Sequence, residues 1–286
     1  MRNDRPFLRW FVTPAALAAA GTVAMLAAIL QYALRAHVPG SLEPGGFTLA
    51  NFATLLRPLY AGVFLDTVLI CLMTAAFSLL AAYPLAYALV RARRRWVRSL
   101  VLIASVTPLF LGEVVRTYAW LVVLGGNGFV NGTLRALGLI ERPLPLMFTR
   151  TGVLLALVHV TLPVVVIMLA AGLAHVDRTL ERAAQALGAG PVRTFLTVTL
   201  PLSLPGVVAG LTTAFAWTFS AFATPQIIGG GKVNLVSNLV YSLGLASFNF
   251  PFAAALSAAG LALTALALAL LGGALRPLAR LGRAAP

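Results

Sequence analysis

The chain has 286 residues, 60% of them hydrophobic and only 10% charged, which excludes an ordinary soluble globular domain. Net charge is +14, but the arginines stand in short segments flanking apolar runs, the pattern of a membrane-topology signal rather than a nucleic-acid surface. One cysteine, Cys71, lies inside an apolar run, and His37, His159 and His175 have no close ligand spacing, so neither a disulfide framework nor a metal cluster is expected.

A bilayer core of about 30 Å takes roughly 20 helical residues. Six stretches meet that length: 11–34, 64–90, 100–124, 152–174, 204–228 and 252–275. The first follows Arg2, Arg5 and Arg9. It exceeds the ~7–15 apolar residues of a cleavable leader, so an uncleaved span is expected. Between the fifth and sixth, Val233–Phe250 is interrupted by Asn234, Asn238, Ser242 and Asn249 and reads as an outer-surface or re-entrant segment. The expected organisation is a first span and outer loop over 1–60, a core over 61–275 with a polar loop at 177–201, and a tail over 276–286.

Positive charges fix the direction. Arg2, Arg5 and Arg9, then Arg91, Arg93, Arg94, Arg95 and Arg98, then Arg178, Arg182 and Arg193, then Arg276, Arg280 and Arg283 fall on one side. Only Arg35, Arg57, Arg135, Arg142, Arg150 and Lys232 fall on the other. The positive-inside bias places both termini and the 177–201 loop in the cytoplasm. The Arg91–Arg98 run is read as an anchor against anionic lipid. Trp120, near the outer end of the third span, is read as an interfacial aromatic. Pro84, Pro108, Pro163 and Pro225 can kink their helices; they reflect either the ordinary frequency of proline in membrane spans or a bundle built to switch between two openings.

Ionisable residues inside spans are costly and face a bundle interior or a watery cavity. Glu113 and Arg116 are spaced i,i+3 and so can pair on one helix face, or Glu113 can contact a passing cationic solute. Tyr118 on the same span is a further pathway candidate. Asp66 opens the second span, where an acid is favoured by the helix dipole.

The 177–206 stretch is the most specific. Asp177 suits an N-cap. Leu180, Ala183, Ala184 and Leu187 recur on one helical face, and Gly188 suits the left-handed C′ position. Pro191 can open a second short helix on which Val192, Phe195, Leu196 and Thr199 share a face, before Pro201 and Pro205 end it. Such a loop either rests its apolar face on lipid headgroups or offers Phe195 as a knob to a partner's groove.

This loop resembles the cytoplasmic signature of binding-protein-dependent ABC transporter permeases, Glu-Ala-Ala-x3-Gly-x9-Ile-x-Leu-Pro. Ala183, Ala184, Gly188, Leu200 and Pro201 match, Val198 stands for isoleucine, and Arg182 occupies the glutamate position with Glu181 one residue earlier. The resemblance implies an all-α integral membrane protein with six transmembrane helices and the type I ABC importer permease fold. It also implies that Glu181, Arg182, Ala183, Ala184, Gly188, Phe195, Leu200 and Pro201 form a coupling helix docked on a separate ATPase. Arg116-Thr-Tyr-Ala-Trp120, Asn127-Gly-x2-Asn131, Thr224-Pro-x3-Gly-Gly-Gly231 and Asn249-x-Pro251 look like spermidine/putrescine-type permeases, although importers of other organic solutes share them. A second permease chain, a periplasmic binding protein and a place in the bacterial inner membrane are implied with them.

The sole lysine, Lys232 in Gly229-Gly-Gly-Lys-Val, lacks the spacing and hydroxyl of a phosphate-binding loop. No cofactor is expected in this chain, and ATP would be used by the partner. The other readings are an ion-coupled secondary transporter working through Asp66, Glu113 and Arg116, and a membrane-embedded enzyme. The second is disfavoured because no nucleophile–base pair is present.

Overall fold

The computed structural model describes residues 5–281, with side chains described at Trp10 and from Val12 to Gly273. Arg2 and Arg283 lie outside the described residues, and the side chains of Arg5, Arg9, Arg276 and Arg280 are likewise outside them. Helices account for nearly all the regular structure; among the described residues the β content is an isolated bridge between Arg35 and Phe47. The chain divides into two compact units.

One unit runs up to Gly62 and takes in Leu239–Ala262. It holds α1 (Arg5–Ala33) and α2 (Ala50–Leu55). Asn51 fastens the two by donating from Nδ2 to the Ala33 and Arg35 carbonyls, each at 2.8 Å. These carbonyls sit at the frayed end of α1, where the intrahelical ladder leaves acceptors free. Tyr60 packs edge-on against Phe252, with ring centroids 4.9 Å apart.

The other unit, Val63–Asn238 with the chain from Leu263, carries most of the bundle. Its first helix, α3 (Pro58–Arg91), has 34 residues, about 51 Å at 1.5 Å per residue. That exceeds the ~30 Å hydrocarbon core, so the helix is longer than a crossing needs. Pro84 sits inside α3 without ending it. The third predicted span is not one helix. α4 (Arg95–Val106) leads into a 3₁₀ turn at Thr107–Phe110, and α5 (Glu113–Leu124) leaves at a bend of 110°. Pro108 lies in the turn, and Leu111 and Gly112 are extended, so the hydrogen-bond ladder is interrupted and the chain redirects. α6 (Phe129–Ala136) follows.

α7 (Arg150–Ala174) crosses with Pro163 inside it, capped by the Thr149 hydroxyl, which accepts from Gly152 N at 3.2 Å. α8 (Arg178–Ala186) and α9 (Pro191–Thr194) form the loop. A π turn at Phe195–Thr199 then joins α9 to α10 (Leu200–Ser220), making one helical segment from Pro191 to Ser220. Pro201 and Pro205 were expected to break the chain here and do not. The wider π turn precedes Pro201 and accommodates its missing donor without ending the helix. The fifth span also stops at Ser220, before the predicted end at 228. Pro225 belongs instead to α11 (Ala223–Gly229), a separate short helix.

α7 and α10 are the tightest pair because glycine lets their backbones meet. A Cβ on Gly172 would lie 2.6 Å from the Gly206 Cα, and one on Gly210 would lie 3.2 Å from the Val165 side chain. Gly206 and Gly210 make a Gly-x3-Gly ridge, the small-residue packing that serves helices in lipid, where apolar surface alone gives no driving force. Hydroxyls complete the bundle: Ser78 meets Thr161 at 2.6 Å, Tyr83 meets Ser203 at 2.7 Å, and Thr117 meets Thr224 at 3.2 Å. α12 (Val236–Tyr241) and a π turn at Ser242–Ala246 form an apolar segment too short to cross a bilayer, and α13 (Phe250–Leu281) ends the chain. Among the described residues five helices are long and apolar enough to cross a membrane, and six if the bent α4–α5 pair is one span.

Candidate functional site

The loop between α7 and α10 is built as its residues dictate. Asp177 Oδ1 accepts from Thr179 N at 2.8 Å, the expected N-cap. That bond is the main reason its carboxyl is held below the usual carboxylate range. Gly188 has φ 86°, and the Gly188 and Ala189 amides donate to the Gln185 and Ala184 carbonyls at 3.0 Å each, closing a Schellman motif. Pro191 opens α9.

The outer surface of this loop sets apolar side chains among cationic and polar ones, Arg178, Arg182, Gln185 and Arg193 being exposed. Leu187 is 90% exposed, Val192 69% and Leu196 54%. Arg182 and Ala183 are exposed beside them, Ala184 is half-buried, and Leu200 and Pro201 lie half-buried at the root of α10. Phe195, expected as the exposed knob, is instead half-buried. Its ring stands edge-on to Tyr83 and Tyr87 of α3, with centroids 5.3 and 6.3 Å away. Those aromatics fill the step left by the π turn, so Phe195 anchors the loop inward.

Glu181 is also turned inward. Its Oε1 accepts from Arg91 Nη2 at 3.0 Å and from the Thr199 hydroxyl at 2.9 Å. The side chains of the pair are only 9% and 13% exposed. Arg91 also donates to the Val176 carbonyl at 2.8 Å. Arg178 and Arg98 donate to the Val90 and Leu89 carbonyls at the end of α3, where cations oppose the helix dipole. One cluster thus ties α8, the π turn and α3 together. The contacts of Arg91, Tyr83 and Tyr87 with Glu181, Phe195 and the Thr199 region are not legible in the sequence, because nothing in the spacing of residues 83–91 relates them to residues 181–199. Arg91 and Arg98 had been read as lipid anchors, yet both hold protein carbonyls, and Arg91 the Glu181 carboxylate as well.

The intramembrane candidates are not gathered into one site. Glu113 is the first residue of α5, at the bend. The ion pairs found among the described residues join Arg91 to Glu181 and Arg150 to Asp66, not Glu113 to Arg116. Helical spacing made the latter pair possible, but the helix begins at Glu113, while Arg116 is buried along a pocket with His159. Asp66 does not open a helix either: α3 starts two turns earlier, and Asp66 pairs with Arg150 Nη2 at 2.6 Å in a half-exposed bridge. Tyr118 is 57% exposed on the other face of α5. Trp120 is half-buried, and its indole N–H donates to His159 Nδ1 at 3.2 Å. That bond also accounts for His159 as a satisfied interior histidine. Among the described residues no cluster of His, Cys, Asp and Glu could hold a metal.

Residues 75–280 match the family described as the binding-protein-dependent transport system inner membrane component. The chain is 33% identical over 211 residues to the spermidine/putrescine transport system permease protein PotB of Salmonella typhimurium, covering 74% of this chain and 73% of that one. It is equally similar, at 33% over 211 residues, to PotB of Escherichia coli, covering 74% and 76%. The fold is that of a chain in the crystal structure of a bacterial alginate ABC transporter in complex with an alginate pentasaccharide-bound periplasmic protein. There the TM-score is 0.74 at 16% identity, over 98% of this chain and 99% of that one. By the family match and these relatives, the chain belongs to the binding-protein-dependent ABC transporter permeases, multi-pass inner-membrane subunits of importers rather than enzymes in themselves.

Proposed function

We propose that this chain is the permease subunit through which an ATP-driven importer moves a small organic cation, a polyamine of the spermidine/putrescine kind. The solute is handed over at the outer surface by a periplasmic binding protein, and a second permease chain, similar or identical, completes the pathway. Both termini and the 177–201 loop face the cytoplasm. The polyamine assignment is supported by the two permease relatives at 33% identity.

One observation carries the coupling: a loop that exposes large apolar side chains on its outer face and whose inner face is tied to two spans. Leu187, Val192 and Leu196 present surface to a groove on the ATPase, with Arg182 beside them. Glu181 and Phe195 fasten the same loop to Arg91, Thr199, Tyr83 and Tyr87. A push on α8 is therefore delivered to the end of α3 and the root of α10 together. In this reading Glu181 is a positioning residue, and Arg182 occupies the exposed place on the helix. Movement of packed helices between two arrangements then opens the pathway inward.

The test is uptake of labelled putrescine into proteoliposomes holding this chain, its second permease, the binding protein and the ATPase. Uptake that requires ATP and ignores an uncoupler supports the proposal, and uptake driven by an ion gradient without the ATPase overturns it. Orientation is checked with Lys232→Cys in a Cys71→Ser background. The side chain of residue 232 is exposed, whereas a Cβ at Gly230 would lie 2.2 Å from the Phe148 ring. Labelling by an impermeant thiol reagent from the periplasmic side is expected.

A further inference from the structure

The fold divides the arginine run that follows α3. Arg91 and Arg98 turn to protein acceptors, the Glu181 carboxylate and the Val176 and Leu89 carbonyls. Arg93, Arg94 and Arg95 between them are exposed, and none joins the ion pairs found among the described residues. No Asp or Glu occurs from residue 67 to residue 112. On the adjoining loop, Glu181 is held by Arg91 and Thr199, and Asp177 caps α8. Three cations therefore stand without a counter-charge. From them α4 continues into an apolar stripe. Trp96, Leu100 and Ile103 recur at i, i+4 and i+7, on one face of the helix. They are 61%, 57% and 62% exposed, whereas Ser105 on the opposite face is buried. Arginine and indole first, then leucine and isoleucine, is the order in which a bilayer passes from headgroups to hydrocarbon.

We infer that this end of α4 seats an anionic phospholipid. Its headgroup phosphate lies on Arg93, Arg94 and Arg95, and its acyl chain runs along Trp96, Leu100 and Ile103. Guanidinium groups suit a phosphate because their planar donors can engage two oxygens at once. A soluble acidic partner would answer the cations and leave the stripe uncovered. A zwitterionic lipid would cover the stripe and bring no net charge to the arginines. Each arginine near an anionic surface strengthens binding about 5-fold. With part of that screened by salt, three set a preference of about 10-fold or more for the anionic lipid. The inference takes from the family only that α4 lies in a membrane, and it holds for either leaflet.

The test uses the full importer complex in zwitterionic nanodiscs doped with photoactivatable phosphatidylglycerol or, as the neutral control, photoactivatable phosphatidylcholine. Crosslinks are mapped by peptide mass. The expected result is labelling within residues 93–103 that half-saturates at an about 10-fold lower mole fraction of phosphatidylglycerol than of phosphatidylcholine. Arg93→Gln, Arg94→Gln and Arg95→Gln together should bring the two lipids within about 2-fold of each other. Lysine at the same three positions should keep a preference, reduced by loss of the planar fork. Leu261 and Leu266 of α13, 54% and 56% exposed, should be labelled by both lipids alike. Equal labelling of α4 by the two lipids, a preference unchanged in the glutamine variant, or the same preference at Leu261 and Leu266 overturns the site. So does an unlabelled α4 in a complex whose α13 is labelled, because another subunit then covers the stripe. Putrescine uptake is not the readout, so failure of the polyamine reading would leave this result standing.

Discussion

Replacing Glu181 by alanine tests the tie between the loop and the membrane helices. The carboxylate accepts from Arg91 at 3.0 Å and from Thr199 at 2.9 Å, and the ion pair is nearly closed to solvent, with side chains 9% and 13% exposed. Alanine removes the one oxygen that accepts both bonds and strands a guanidinium whose Nε already lacks a partner. Breaking a buried pair from one side costs about 3–5 kcal/mol. Because Arg91 keeps the Val176 carbonyl, the lower end, about 3 kcal/mol, is expected. Glu181→Gln keeps an acceptor and should cost about 1–2 kcal/mol. Arg91→Ala combined with Glu181→Ala removes both charges, so the double mutant should be less damaged than the sum of the single mutants by about 1.5 kcal/mol or more. Reversible denaturation in mixed micelles gives the stabilities, and ATP hydrolysed per solute imported gives the coupling. The ratio should rise in Glu181→Ala, because force on α8 is no longer shared with α3. Additivity within about 0.5 kcal/mol together with an unchanged ratio would refute the strut.

Phe195→Asp should lower the yield of folded protein, since it places a carboxylate against the Tyr83 and Tyr87 rings; size-exclusion recovery in detergent checks it, and a well-folded but uncoupled variant would mean that Phe195 faces the partner. Gly206→Val should cost about 1–3 kcal/mol or more by forcing α10 off Gly172, whereas Gly21→Ala, where a Cβ meets open space, should be neutral in the same thermal assay. Asp177 has a depressed pKa in the folded loop, so its cap is fully in place above the ordinary carboxylate pKa and is lost as pH falls through the depressed value. Hydrogen exchange at the first turn of α8 should therefore accelerate on acidification, and Asp177→Asn, which keeps an acceptor, should flatten that dependence.

Much of the fold was legible in the sequence because the bilayer imposes a length rule on apolar helices. Asp177, Gly188 and Pro191 fixed the loop as well, since caps and turn residues act locally. What failed were inferences from linear spacing to side-chain partners. Glu113 and Arg116 have helical spacing within α5 but do not pair; Arg116 is buried on the side that carries His159. Proline was over-read at 201 and 205, where a π turn keeps the helix whole, and under-read at 108, where the chain turns by 110°. The Arg91–Glu181 strut joins residues 90 positions apart and leaves no periodic trace. Gly206 and Gly210 have Gly-x3-Gly spacing, which passed unread, and only the fold shows that Gly172 meets Gly206.

The central claim is that nucleotide-driven motion in a separate ATPase enters this bundle through the exposed face of the 177–201 loop. A photo-crosslinking residue placed at Leu187, 90% exposed, addresses it in membranes holding the whole complex, with the same residue at Leu42 between α1 and α2, 70% exposed, as control. The account predicts a crosslink to the ATPase from position 187 alone, with a yield that changes when ATP is replaced by a non-hydrolysable analogue. No crosslink from position 187 in a complex that still imports solute, or an equal one from position 42, would contradict it.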